Sequence, residues 1–154
     1  MKRKGAFPKK VIVLIGSLLA AGIVLAQDIK ATAYVESTHV NTKVGTILSF
    51  ENHSGWEYGG FFHKTSNAIF PEEIKEDELK ESNFTGFFVA MPLIREEGAS
   101  MKINLRTGLA NGEHLKVIPS LTCEAPLTKN LLLMAGISSR KWNPTFIYGI
   151  SFKI

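Results

Sequence analysis

The chain has 154 residues, 45% of them apolar, with 18 Lys and Arg against 14 Asp and Glu and a single cysteine. That length makes one domain. One cysteine excludes an internal disulfide, and with no Lys/Arg stripe interleaved with aromatics the basic balance does not signal a nucleic-acid partner.

The first segment accounts for the charge. Lys2, Arg3, Lys4, Lys9 and Lys10 precede an uncharged apolar run, which ends in Val24, Leu25 and Ala26 before Gln27. This basic, apolar and small-residue order is that of a secretory signal peptide. The apolar run is shorter than the ~20 residues a spanning helix needs, so residues 1–26 are expected to be cleaved and 27–154 to form the mature domain. Thirteen basic residues then face fourteen acidic ones, a balance of −1. Cys123 reads as a small apolar side chain rather than a nucleophile.

The rest reads as strands. They are expected over 29–38, 43–51, 56–65, 84–94, 100–110, 115–125, 130–140 and 144–154, separated by turn-forming stretches such as NHSG, REEGA, NGEH and PLTK. Asn111-Gly112 is a hairpin signal. Only 66–83 resists, with six acidic residues against Lys75 and Lys80; it reads as a solvated acidic loop. Pro92 and Pro119 fall inside expected strands, where each removes a ladder donor, so they mark bulges or strand limits.

Alternation divides the faces. Met101, Ile103, Leu105, Thr107 and Leu109 oppose Lys102, Asn104, Arg106 and Gly108, and Trp56, Tyr58 and Phe62 oppose Glu57, Phe61 and His63. Phe146, Tyr148, Ile150, Phe152 and Ile154 line one side of the last strand. A soluble barrel or sandwich would turn the apolar side inward; a transmembrane barrel would turn it to lipid. Three features favour the membrane. The strands run to the ~9–11 residues a tilted membrane strand needs. Aromatics gather toward strand ends, with Phe50, Trp56 and Phe152 near one rim and Phe84, Trp142 and Phe146 near the other, as interfacial girdles do. The last strand reads as fully used, closing on the first, because an open edge in lipid leaves backbone groups unpaired.

The residues GISFKI (149–154) resemble the C-terminal signal by which bacterial outer-membrane barrels are recognised for assembly, with Gly149, Phe152 and Ile154 at its positions. Ile154 stands where that family most often has Phe, and Ile147 where a polar residue is usual. The resemblance covers the mature chain as a small member of that family. It implies an all-β, eight-stranded antiparallel up-and-down transmembrane β-barrel preceded by a signal peptide. The implied partners are outer-membrane lipid, lipopolysaccharide and the barrel-assembly machinery.

On this reading Glu36, Glu57, Lys102, Arg106, Lys116 and Glu124 point into the lumen, with Lys30, Tyr34, Ser49, Glu51, His63, Ser138 and Lys153, as one paired network, because an unpaired buried charge is costly. Eight strands leave a lumen that side chains fill, so a plug is expected and not a pore. His63, Thr65 and Glu57 share a face as a base, a hydroxyl and a carboxylate would. The stretch HKTSN is similar to the His-x-Ser-Asn motif of lipid A deacylase barrels, but His63 and Ser66 are three apart and fall on opposite faces. His63 therefore reads first as structural. His39, His53 and His114 have no metal-ligand spacing, and nothing calls for a cofactor. The expected function is an integral outer-membrane protein of a Gram-negative bacterium, non-conducting, serving membrane integrity, shielding or adhesion. The rivals are a soluble periplasmic barrel that binds an apolar ligand and, more distantly, a lipid A-modifying esterase.

Overall fold

The computed structural model describes residues 28–38, 41–66, 82–140 and 143–154. The expected signal peptide, most of the acidic stretch (67–81), His39 and Trp142 lie outside the described residues. Within them run eight strands: β1 (Asp28–Ser37), β2 (Thr42–Glu51), β3 (Glu57–Thr65), β4 (Asn83–Glu96), β5 (Ala99–Ala110), β6 (His114–Pro126), β7 (Leu131–Arg140) and β8 (Asn143–Lys153). Each pairs antiparallel with the next, and β8 returns to β1 from Lys30↔Lys153 to Ser37↔Phe146, closing a barrel. Closure gives every strand two neighbours, so no strand is an edge strand along its whole length. One rim carries Asp28, Glu51, Glu57 and Lys153, and is called here the N-terminal rim; the other carries Ser37, Thr65, Asn83 and Arg140.

The turns follow local chemistry. Asn111 and Gly112 both have positive φ, 53° and 74°, and Glu113 N–H donates to the Ala110 carbonyl at 3.1 Å. Asn-Gly thus makes the expected tight hairpin turn, with three residues, 111–113, between the paired Ala110 and His114. Asn111 Oδ1 also accepts the Ser82 and Asn83 amides, tying the start of β4 to this turn. Pro92 sits at a register shift between Pro92 and Ile94 in the β4–β5 ladder, the bulge its missing N–H requires. Pro119 stands opposite Leu105, one residue before the β6–β7 ladder begins at Ser120↔Ser138. One flank of β6 has no ladder to interrupt there.

The barrel is inverted relative to a water-soluble one. Leu105, Val117 and Tyr148 face outward at 43%, 56% and 54% exposure, while Arg106 lies inside at 2%. The same alternation holds along β1, β2 and β3. Inside, Phe61, Phe84, Phe88, Ile47, Ile118, Met134 and Ile147 fill the space between polar groups. Small residues let the wall curve tightly. Gly86 and Gly108 face each other across β4 and β5, and a Cβ on either would lie about 2 Å from a carbonyl oxygen of the opposite strand, at 2.1 and 2.0 Å. Such glycines bend a sheet enough to close it.

Phe84 corrects the sequence reading. Assigned to a lipid-facing girdle, it is fully buried, edge-on to Phe61 at 4.7 Å between ring centroids and to His63 at 5.3 Å. Its strand is apolar on both faces, so alternation gave no direction, and a large ring was needed to fill the lumen beside Phe61. Trp56, Phe146 and Phe152 face outward, and Phe50 is half-buried.

Candidate functional site

The polar side chains of the lumen form two clusters instead of the single network expected. Near the N-terminal rim, Lys30 from β1, Glu57 from β3, Lys102 from β5 and Glu124 from β6 form a ring of alternating charge. Lys30 Nζ donates to Glu57 at 2.8 Å and Lys102 Nζ to Glu124 at 2.9 Å; Lys30 also bonds Glu124, and Lys102 bonds Glu57. Ser49 adds a hydroxyl to Glu57 at 3.2 Å. In an eight-stranded barrel β1 and β5 stand opposite, so the ring ties the wall across its diameter. Each ion has two partners of opposite sign, which offsets the several kcal/mol per ion that burial costs.

The second cluster lies toward the opposite rim and converges on Glu36. Oε1 accepts from Ser138 at 2.6 Å, Arg140 Nε at 2.8 Å and Thr145 at 2.9 Å, while Oε2 accepts from Arg106 Nη1 at 2.9 Å. Arg106 also donates to the Tyr34 hydroxyl at 3.1 Å and lies over the Tyr34 ring, 5.4 Å from its centroid. The Tyr34 hydroxyl in turn is 3.1 Å from His63 Nδ1, and Arg140 Nη2 is 3.4 Å from His63 Nε2. Gly45 makes this possible: a Cβ there would lie 2.5 Å from the Tyr34 ring. Between the clusters run Thr32–Ser151 at 2.8 Å and Asn104 to Thr122 at 2.7 Å.

The structure therefore splits the expected set. Glu57, Lys102 and Glu124 meet in the ring, and Glu36 and Arg106 meet in the hub. Lys116 points the same way but sits half-buried near the opposite rim, beside Gly108. The sequence reading missed Arg140 and Thr145, both on the inward parity of their strands; Arg140 was hidden by its place next to a turn. Lys30 lies inside, as its parity predicts, and joins the ring.

The three candidates for chemistry do not assemble. His63 lies in the hub and Glu57 in the ring, six residues away along β3, or about 20 Å at ~3.3 Å per residue. Thr65 is half-exposed at the end of β3. His63 contacts Tyr34 and Arg140, while the nearby hydroxyls of Ser138 and Thr145 serve Glu36. Among the described residues no three His, Cys, Asp or Glu side chains converge as a metal site needs. The space between ring and hub is about 20 Å³, room for roughly one water molecule, so side chains fill this part of the lumen. Of the residues expected to form a C-terminal assembly signal, Phe152 and Ile154 are exposed, and Gly149 packs beside Tyr34 and Met134.

No protein-family model matches the chain, and no curated protein matches it. Among solved structures the chain is similar to one described as "De novo design of transmembrane beta-barrels", with a TM-score of 0.67 at 11% identity, covering 84% of this chain and 97% of that one. At that identity the likeness is one of fold: an eight-stranded, antiparallel, closed β-barrel.

Proposed function

We propose that this chain is an integral outer-membrane barrel of a Gram-negative bacterium, exported through the inner membrane with residues 1–26 removed, and that its role is non-conducting: membrane integrity, surface shielding or adhesion. One observation carries the proposal. Leu48, Leu105, Val117, Ile137, Tyr148 and Ile150 stand on the outside, while Lys30, Glu36, Glu57 and Arg106 are at most 2% exposed inside. In water this would leave an apolar surface far beyond the few hundred Å² that soluble monomers present. In a bilayer it is the favourable arrangement. From Phe146 to Ile154 the outward apolar residues span about 26 Å along β8, or roughly 20 Å of membrane depth at a ~40° tilt. The likeness to a designed transmembrane barrel supports the same reading. Its partners would be outer-membrane lipid, lipopolysaccharide and, through Gly149, Phe152 and Ile154, the barrel-assembly machinery.

Cell fractionation tests this directly. The protein is expected in the outer-membrane fraction, soluble only in detergent, and shifted in gel mobility by boiling; release by osmotic shock would overturn the assignment. Phe152→Asp is expected to leave the chain unassembled in the periplasm, and normal insertion of that variant would remove the role given to the C-terminal signal.

A further inference from the structure

The mouth at the N-terminal rim is built differently from the lumen beneath it. A cavity of about 200 Å³ opens there, and its charged lining is balanced: Arg95, Lys102 and Lys153 against Glu51, Glu96 and Glu124. Lys102 and Glu124 form the floor and are committed to the ring. The upper groups are partly engaged, with Arg95 Nη1 donating to the His53 carbonyl at 3.2 Å. Arg95 Nη2 is 3.7 Å from Glu51 Oε1, and its side chain is 53% exposed. Glu51 is 4% exposed, yet its Oε2 has no hydrogen-bond partner, Lys153 Nζ standing 3.1 Å away as an ion pair only. The Glu96 side chain has no ion pair or hydrogen bond among the described residues. The register shift at Pro92–Ile94 sets this end of β4 apart from the regular ladder, and both Pro92 and Arg95 line the opening.

We propose that this mouth binds a small zwitterion carrying one ammonium and one carboxylate group. A lone cation or a lone anion would meet as many repelling side chains as attracting ones. A molecule with both charges matches the lining. Its ammonium would lie on the exposed Glu96 carboxylate, and its carboxylate on the guanidinium of Arg95, whose planar fork suits a carboxylate. At roughly 20–30 Å³ for each non-hydrogen atom the cavity takes about six to ten such atoms, the size of a free α-amino acid. The exposed, screened charges make the binding weak, in the millimolar range. The inference does not depend on the membrane assignment, because the mouth is open to solvent whatever surrounds the wall.

The test uses the purified protein in detergent micelles, followed by backbone amide shifts during titration with L-alanine, ethylamine and propionate. L-alanine is expected to give saturable shifts near Glu51, Arg95, Glu96 and Lys153 below about 50 mM, with both single-charge probes at least tenfold weaker. Arg95→Gln and Glu96→Gln lie at the rim outside the ring and hub, and each is expected to weaken L-alanine at least tenfold while the amide shifts of the ring and hub residues stay in place. The absence of saturable shifts, shifts elsewhere on the barrel, equal binding of ethylamine or propionate, or unchanged affinity in both variants would each overturn the proposal. A negative result here leaves the fractionation outcome as it stands, so the two readings fail separately.

Discussion

The ring near the N-terminal rim and the hub around Glu36 both hold ionised side chains out of water, and they distribute the risk differently. In the ring, two lysines and two carboxylates from four strands each contact two partners, so loss of one ion leaves every survivor with a counter-ion. In the hub, Arg106, Arg140, Ser138 and Thr145 all converge on one carboxylate. Its loss strips a partner from all four at once. A narrow lumen can therefore be closed by shared pairing or by a single acceptor, and only the second has a point of failure.

The comparison can be broken at its strongest contrast first. Glu36→Gln is expected to cost about 3–5 kcal/mol in urea unfolding of the barrel in detergent or lipid, because two arginines lose a buried counter-charge. A cost below about 1 kcal/mol would mean that the hub is not organised by Glu36. Lys30→Met is expected to cost less, about 1–3 kcal/mol, since Glu57 and Glu124 keep Lys102. Combining it with Glu57→Gln leaves the Lys102–Glu124 pair intact, so the double variant should cost less than the two singles together by about 0.5–3 kcal/mol. Strict additivity would remove the ring as a unit. The smallest effect is expected for Tyr34→Phe, about 0.5–1.5 kcal/mol in the same unfolding measurement. It takes away the hydroxyl between Arg106 and His63 and leaves every contact to Glu36 in place.

Alternation made most of the barrel readable. The period of two puts Lys30, Glu36, Glu57, Lys102, Arg106 and Glu124 on the polar faces of their strands, the membrane reading turns those faces inward, and all six lie inside. Asn111-Gly112 fixed its hairpin, and Pro92 marked its bulge. The reading failed where the period carried no information. Phe84 belongs to a strand with apolar residues on both faces, and it was placed by its nearness to a strand end; the structure uses it to pack Phe61 and His63. Arg140 was passed over because it borders a turn, although it has the parity of Ser138. His63, Thr65 and Glu57 do share a face, but a shared face extends the length of a strand, and proximity along it needs the register of the neighbours.

The sequence by itself determined the strand count, the turn chemistry and which side chains share a face, because these depend on local backbone preference and on a period of two within one segment. Only the tertiary structure decided which way the apolar face turns, that β8 closes on β1, and that the polar face divides into a ring and a hub. Those outcomes rest on which strands stand opposite one another across the lumen and on how far each is staggered along its neighbour. Contacts such as Lys30 to Glu124 and Glu36 to Thr145, 94 and 109 residues apart in the chain, exist only once the sheet has curled and closed.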